Sequence, residues 1–217
     1  MSGREHPAED RDARAAFPVL RWLALGWLLV YVPTYAWAYG WANFLFLCNA
    51  GVMLTAVSLF YGDRLLLSSQ AIAAPVIALA WMLDAGWKVV TDDFLFGGTA
   101  YMWNPHNPVF ARGLSLYHLA WPAILYYALR KLGYDRRGWP LQAAIAAVFM
   151  ALAYAFTSPA ANINFAFVAP IFDRPLGPPL LHLLLSWLAL AGVGYGLTDL
   201  LCRRLFPVQV AGNPPLA

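Results

Sequence analysis

Six stretches of the chain are almost uninterruptedly apolar, and the polar residues within them collect at one depth. The stretches are Leu20–Tyr39, Trp41–Tyr61, Leu65–Val90, Phe110–Leu129, Trp139–Phe156 and Leu180–Leu201. A helix of about 20 mostly apolar residues crosses the roughly 30 Å hydrocarbon core of a bilayer. The pattern therefore predicts an all-α integral membrane protein built as a six-transmembrane-helix bundle, over residues 17–205.

Polar and loop-forming residues fill the remaining segments. Residues 1–16 are polar and mixed in charge, which predicts a disordered cytoplasmic tail, and residues 206–217 form a second tail. Two connections, roughly Thr91–Val109 and Thr157–Pro179, are long and rich in Gly, Pro, Asn and aromatic residues. We expect both to lie on the outer side and to form a lid, since long loops are often functional or ordered by packing.

The distribution of Lys and Arg predicts the orientation, because these residues collect on the cytoplasmic side of helical membrane proteins. With the N-terminus inside, eleven of the 14 basic residues lie at cytoplasmic positions. The exceptions are Lys88, Arg112 and Arg174. The sequence therefore predicts both termini in the cytoplasm and a multi-pass protein of the cell inner membrane.

Composition narrows the function further. The chain is 61% hydrophobic and only 12% charged, with a net charge of +3, so we expect no nucleic-acid partner. Membrane lipids are the expected partners, and the aromatic outer loops suit contacts with other membrane proteins. No H-E-x-x-H, C-x-x-C, G-x-S-x-G or P-loop motif is present, so no metal or cofactor is predicted.

The outer half of the predicted bundle contains most of the polar residues within the spans. Cys48 and Asn49 lie about 10 Å below the outer end of the second span, at about 1.5 Å per residue. Asp84 in the third span and His118 in the fourth are expected at a similar depth. Lys88, four residues after Asp84, is placed to pair with it.

Four further residues are expected at the outer level. They are Arg112 at the start of the fourth span, Asn162 and Asn164 after the fifth, and His182 at the start of the sixth. Ionisable residues inside a membrane usually mark function. A structural role is the alternative, since polar side chains also join helices through hydrogen bonds.

Two functions fit this set of residues. In the first, the protein is an intramembrane enzyme acting on lipids, a hydrolase or an acyltransferase. His118 is then the general base, positioned by Asp84, and Cys48 is the nucleophile unless His118 activates water or a lipid hydroxyl directly. The other polar residues are expected to bind substrate. Asn162 and Asn164 would donate to the oxyanion, and Lys88 and Arg112 would bind a lipid phosphate. Asn49 and His182 are the remaining substrate-binding candidates.

In the second function, the protein is a non-catalytic subunit or scaffold of a membrane complex. Its polar residues then hold the bundle together, and its aromatic outer loops contact the partners. Geometry separates the two hypotheses, because catalysis requires Cys48, Asp84, His118 and Asn164 to converge around a cavity.

Three segments resemble a bacterial family of multi-spanning membrane-associated proteins to which no function is assigned. They are Gly113–Pro122, Leu132–Arg137 and Thr157–Phe165, within a resemblance that covers about Leu45 to Leu180. This resemblance implies a fold and not an activity.

A more distant likeness is to YwaF-like membrane proteins and the related animal ether-lipid acyltransferases. Leu47-Cys48-Asn49, His118 and Asn164-Phe165 occur in the order of that group's Leu-Cys-Asp-like, His and Asn-aromatic elements. Asn49 replaces the acid of the first element, and the later Gly-Pro-Trp-Pro element is not matched. The likeness implies catalytic roles for Cys48 and His118.

Overall fold

The computed structural model of the protein describes residues 16–206, and this part of the chain is helical with no β-strand. The helices are α1 (Leu20–Tyr39), α2 (Leu47–Tyr61), α3 (Arg64–Thr91), α4 (Val109–Leu114), α5 (Tyr117–Leu132), α6 (Gly138–Phe156), α7 (Pro179–Leu188) and α8 (Tyr195–Leu205). A π-helical segment, Ala189–Gly194, joins α7 and α8 into one apolar helix. The predicted tails, residues 1–16 and 206–217, lie almost wholly outside the described residues.

The all-α prediction is confirmed, and within residues 16–206 three helices are long and apolar enough to cross a membrane: α3, α6 and α7–α8. Many of their large apolar side chains face outward, among them Val90, Phe156 and Leu180, each more than 70% exposed. Exposed apolar surface on this scale is typical of a surface that meets lipid or a partner and not water.

Two of the six predicted stretches are broken, although their ends agree closely with the helices. The second divides at Phe46, where a 3₁₀ turn (Trp41–Leu45) gives way to α2. The fourth divides at Ser115–Leu116, between α4 and α5. Both breaks lie beside the polar residues of the outer half.

Helix α3 forms the centre of the bundle and packs against α2, α5, α6 and α8. Half of its most apolar 18-residue window is buried, compared with 22% for α6 and 17% for α7–α8. Ala71, Ala73, Ala74 and Ala78 are almost completely buried on it, and such small residues let helix backbones approach closely. Gly138 of α6 serves the same purpose, since a Cβ there would lie 2.9 Å from the Ser68 backbone.

The basic turns, the α2–α3 turn with Arg64 and the α5–α6 turn with Arg136 and Arg137, meet at one end of the bundle. The Asp135 backbone N–H donates to Ser68 Oγ, and the Tyr134 hydroxyl donates to Asp199 near the end of α8. Arg137 makes a 2.8 Å ion pair with Asp135, and its hydrogen bond to this carboxylate lowers the pKa of Asp135 below its ordinary value. These contacts fasten the α5–α6 turn to α3 and α8.

The half of the bundle near this end is more polar than the sequence pattern indicated. The sequence analysis placed most polar residues of the spans in the outer half, but Ser68, Ser69, Gln70 and Gln142 are all buried here. Gln70 Nε2 donates to Ser69 Oγ at 3.0 Å and to Gln142 Oε1 at 3.2 Å, which joins α3 to α6. Hydrogen bonds between helices explain why these polar side chains are tolerated in the core.

Candidate functional site

A cavity of about 380 Å³ lies at the opposite end from the basic turns. Both long loops reach it, the first through Phe96 to Tyr101 and the second through Ala160 to Phe165. Four of the nine predicted site residues line it: Cys48, Asn49, His118 and Asn162. The sequence therefore identified the region, although only part of the expected set converges there.

His118 faces the interior of the bundle and is only 2% exposed. Its ring stacks between Trp81 and Tyr117, with centroid distances of 4.9 and 4.2 Å. Nδ1 lies 2.7 Å from the Ser115 carbonyl oxygen. Because a carbonyl only accepts hydrogen bonds, Nδ1 is the protonated nitrogen and Nε2 of the neutral ring keeps its lone pair.

The break between α4 and α5 positions this histidine. Ser115 precedes α5, and its carbonyl accepts both the His118 backbone N–H, at 3.2 Å, and the N–H of the His118 ring. The Ser115 hydroxyl is in turn 2.5 Å from the Tyr35 hydroxyl on α1. Nε2 has no hydrogen-bond partner among residues 16–206 and belongs to a side chain that lines the cavity.

Asn49 is the centre of the hydrogen-bond network beneath the cavity. Its Oδ1 accepts from the Tyr31 hydroxyl at 2.6 Å and from the Tyr117 hydroxyl at 2.9 Å. Its Nδ2 donates to the Asn43 carbonyl at 2.7 Å, which ties α2 to the preceding 3₁₀ turn. Asn49 is 4% exposed and well satisfied, so its role in the structure is to fix the cavity floor.

Cys48 is adjacent to this network and lines the same cavity. Its thiol is a free, partly buried group, and Sγ lies 3.7 Å from Asn49 Oδ1, a weak hydrogen bond. The structure thus places a thiol and an imidazole on the wall of one cavity.

Asp84 does not position His118, and it does not pair with Lys88. Its carboxylate instead accepts four hydrogen bonds from the first outer loop: from the backbone N–H groups of Phe96 (2.5 Å), Gly97 (3.1 Å) and Thr99 (2.7 Å), and from the Thr99 hydroxyl (2.6 Å). The helical spacing allowed the pair with Lys88, but a carboxylate that is 1% exposed is satisfied by backbone donors close to it. Asp84 therefore fixes the loop that forms one wall of the cavity.

Lys88 and Arg112 lie outside the cavity lining. Lys88 Nζ pairs with the exposed Asp92 carboxylate at 2.8 Å, and this contact lowers the pKa of Asp92. Arg112 donates from NH1 to the Met102 carbonyl, and its Nε is buried without a partner. Arg112 also interacts electrostatically with Tyr39, a lining residue, so it lies at the edge of the cavity.

Asn162, Asn164 and His182 hold the second outer loop. Asn162 caps the loop through both atoms of its amide, at the Phe167 and Val168 backbone. Asn164 Oδ1 accepts from the Leu47 backbone N–H, and Nδ2 donates to the Leu45 carbonyl, which bridges the break before α2.

His182 is bonded at both ring nitrogens. Nδ1 accepts from the Leu176 backbone N–H at 3.1 Å, and Nε2 lies 3.0 Å from the Phe165 carbonyl. The imidazole is 1% exposed and is not part of the cavity wall. Its position identifies it as a loop anchor, in contrast to His118.

Aromatic residues that the sequence analysis did not single out form much of the wall. They include Tyr35, Tyr39, Trp81 and Tyr101. Burial raises the pKa of Tyr101, in the first loop, well above its usual range, so its hydroxyl stays protonated. A signal was present, because Trp27, Tyr31, Tyr35 and Tyr39 recur every four residues and so lie on one face of α1.

The cavity wall contains no Asp, Glu, Lys or Arg among the described residues. Two of its polar atoms, the Tyr39 hydroxyl and Asn43 Nδ2, are buried without a hydrogen-bond partner. Unpaired buried donors are costly, and a bound acceptor would satisfy them. Within residues 16–206, no group of three or more His, Cys, Asp or Glu side chains is arranged to hold a metal ion.

Comparison with protein-family models, with curated proteins and with solved structures finds no match to this chain. The resemblances noted from the sequence therefore stay predictions, and the function is argued from the site alone.

Proposed function

We propose that the chain is a multi-pass protein of the cell inner membrane with six spans and both termini in the cytoplasm. In this arrangement α1, α2 and α4–α5 span the membrane together with α3, α6 and α7–α8. The outward apolar side chains support the proposal, as does the gathering of Arg64, Arg136, Arg137 and Arg203 at one end.

Cysteine labelling tests this topology. In a background without Cys48 and Cys202, an impermeant maleimide should label D93C in intact spheroplasts and R136C only after lysis, since both positions are exposed. Labelling of R136C from outside would contradict the proposed topology.

The cavity is proposed as the active site of a lipid-acting enzyme, a hydrolase or an acyltransferase. One observation carries the proposal: His118, whose Nε2 has no hydrogen-bond partner among residues 16–206, lines a cavity whose wall also includes Cys48. The Ser115 carbonyl takes the orienting role for which Asp84 was expected. A base fixed in one tautomer by its other nitrogen is the arrangement that general-base catalysis requires.

The chemistry follows from this geometry. His118 Nε2 accepts a proton from the attacking group, which is either the Cys48 thiol or a water or lipid hydroxyl. The attacking sulfur or oxygen bonds to the carbonyl carbon of a lipid ester, and the carbonyl oxygen becomes an oxyanion. Collapse of this intermediate breaks the bond to the leaving alcohol, which takes the proton from the imidazolium.

If Cys48 attacks, the acyl group first resides on sulfur as a thioester. Water then releases a fatty acid, or a second lipid hydroxyl takes up the acyl group, again with His118 as the base. The unpartnered Tyr39 hydroxyl and Asn43 Nδ2 are the donors suited to the oxyanion. The side-chain amides of Asn162 and Asn164, expected there from sequence, already donate to loop carbonyls.

The uncharged wall favours an ester group over a phosphate inside the cavity. A phosphate there would lie in a weakly polar site without a cation to pair with. Arg112, at the cavity edge beside Tyr39, is the residue suited to a phosphate just outside. Lys88 is not assigned this role, because its ammonium group is already paired with the Asp92 carboxylate.

Lipid analysis of a deletion strain tests the proposed function. The strain is complemented with wild type, H118Q, or H106Q as a control at an exposed loop histidine. Wild type and H106Q should restore the lipid profile, and H118Q should not. Restoration by an H118Q protein present at wild-type level would reject the catalytic role.

The non-catalytic subunit is the second candidate. Asp84, Asn164 and His182 are all occupied by backbone groups, as expected of residues that only hold a structure together. Exposed apolar residues on the second loop, such as Ile171 and Phe172, would then be the contact surface. This candidate predicts equal rescue by all variants that fold.

A further inference from the structure

A second cavity, of about 400 Å³, lies between α1, α2 and the α4–α5 segment. Its wall is almost wholly apolar and includes Leu23, Trp27, Val52 and Leu59. Leu23 is 63% exposed, so the cavity is a groove that opens to the side of the bundle. In the proposed topology that side is in contact with lipid.

The three buried polar side chains of the groove already have partners within the protein. The Thr55 hydroxyl donates to the Gly51 carbonyl and accepts from Trp121 Nε1, both at 2.8 Å. The Tyr117 hydroxyl donates to Asn49. These three groups therefore offer an occupant no unpaired polar atom, and an alkyl chain fits the mostly apolar wall.

Tyr117 connects the groove to the candidate active site. Its ring lines the groove and stacks on His118, while its hydroxyl bonds to Asn49 in the cavity wall. The groove continues from this level toward the basic end, along α2 from Val52 to Leu59. This is about 10 Å at 1.5 Å per residue, a length that part of one acyl chain can fill.

We propose that the groove binds one acyl chain of the same membrane lipid whose ester lies in the cavity. The proposal rests on the proposed function and makes its substrate class more specific. The lipid stands along the membrane normal, as its neighbours in the bilayer do, with its polar end at His118 and one chain between α1, α2 and α5. Tyr117 is then a positioning residue at the boundary between the ester and the chain.

Gly113 offers a way to fill the groove without disturbing the fold. A Cβ at Gly113 meets no atom within 4 Å, and the residue lines the groove. Gly26, on the exposed surface of α1, is equally open and does not line it. G113F and G26F therefore form a matched pair, and A120F is a second groove-filling variant at an exposed lining position.

The experiment is photo-crosslinking with the full-length protein in phosphatidylethanolamine–phosphatidylglycerol vesicles. The probe is a phospholipid with a diazirine in one acyl chain, and labelled peptides are identified by mass spectrometry. Wild type and G26F should be labelled on α2 and α5 within the groove. G113F should be labelled about tenfold less, because excluding two methylenes from an apolar site has an effect of this size.

The outcomes separate the groove from the enzyme. Labelling of groove peptides that neither G113F nor A120F reduces would overturn the acyl-chain proposal, as would the absence of groove labelling in wild type. Groove labelling in a protein without lipid turnover would support the acyl site and reject the enzyme. Lipid turnover without groove labelling would support the enzyme and reject the acyl-chain site.

Discussion

Replacing Asp84 by Asn should release the first outer loop while leaving the helical bundle intact. The carboxylate accepts three backbone N–H groups and one hydroxyl, and it is 1% exposed, so solvent cannot replace these bonds. An amide keeps the shape but has only one accepting oxygen. Whichever way it is turned, its NH₂ group faces at least one loop N–H.

The expected loss of free energy for loop opening follows from these contacts. One buried N–H left without a partner costs about 1–3 kcal/mol. The remaining bonds lose their charge assistance, which makes them about half as strong. We expect the free energy of loop opening to fall by about 3 kcal/mol, which corresponds to about 100-fold faster hydrogen exchange.

Hydrogen exchange followed by mass spectrometry of the full-length protein in lipid nanodiscs provides the assay. Peptides that cover Phe96, Gly97 and Thr99 should lose protection in D84N, while α6 should be unchanged. D93N is the matched control, because Asp93 is exposed and its carboxylate accepts only the backbone N–H of its neighbour Phe94. Equal loop protection in D84N and D93N would refute the anchoring role of Asp84.

Three further predictions concern the framework of the site. N49L should lower the unfolding free energy by about 2–5 kcal/mol, measured as a reduced thermal midpoint in detergent, because it removes the acceptor of two buried phenol hydroxyls, those of Tyr31 and Tyr117. G138A should destabilise by about 1–3 kcal/mol in the same assay, since its Cβ meets the α3 backbone at 2.9 Å, whereas G86A has open space and should be close to neutral. The pKa of Asp135 is lowered in the folded protein. The carboxylate therefore stabilises the fold above the unfolded pKa of about 3.9, and this stabilisation is lost as the pH falls through the folded pKa. D135N should remove this loss at acid pH from the thermal midpoint measured as a function of pH.

Hydrophobic patterning predicted the helices well because apolar stretches of span length have few alternative structures. Five of the six predicted stretches begin within one residue of a helix, and the exception is the second, where a 3₁₀ turn precedes α2. The helix breaks at Phe46 and Ser115 could not be predicted from the sequence pattern, since each depends on a residue that is distant in the chain. Asn164 bonds to both sides of the first, and Tyr35 bonds to the second.

The candidate site was predicted only in part. Depth along a helix correctly grouped Cys48, Asn49 and His118, because rise per residue is nearly constant. Pairing was wrong for Asp84, since spacing along a helix takes no account of the loop that folds back onto it. The α1 tyrosines were not predicted as site residues, although their four-residue spacing places them on one face of the helix, and two of them line the cavity.

The most direct test of the central claim is the rate of acyl cleavage or transfer by the purified protein in vesicles. Fluorescent acyl-labelled phosphatidylethanolamine, phosphatidylglycerol and diacylglycerol serve as substrates, and wild type is compared with H118Q and H106Q. We predict turnover of at least one lipid by wild type and H106Q, with kcat lower by about 10²–10⁴-fold in H118Q, the usual contribution of a general base. Equal rates for wild type and a folded H118Q protein, or no turnover of any of the three lipids by wild type, would contradict the account.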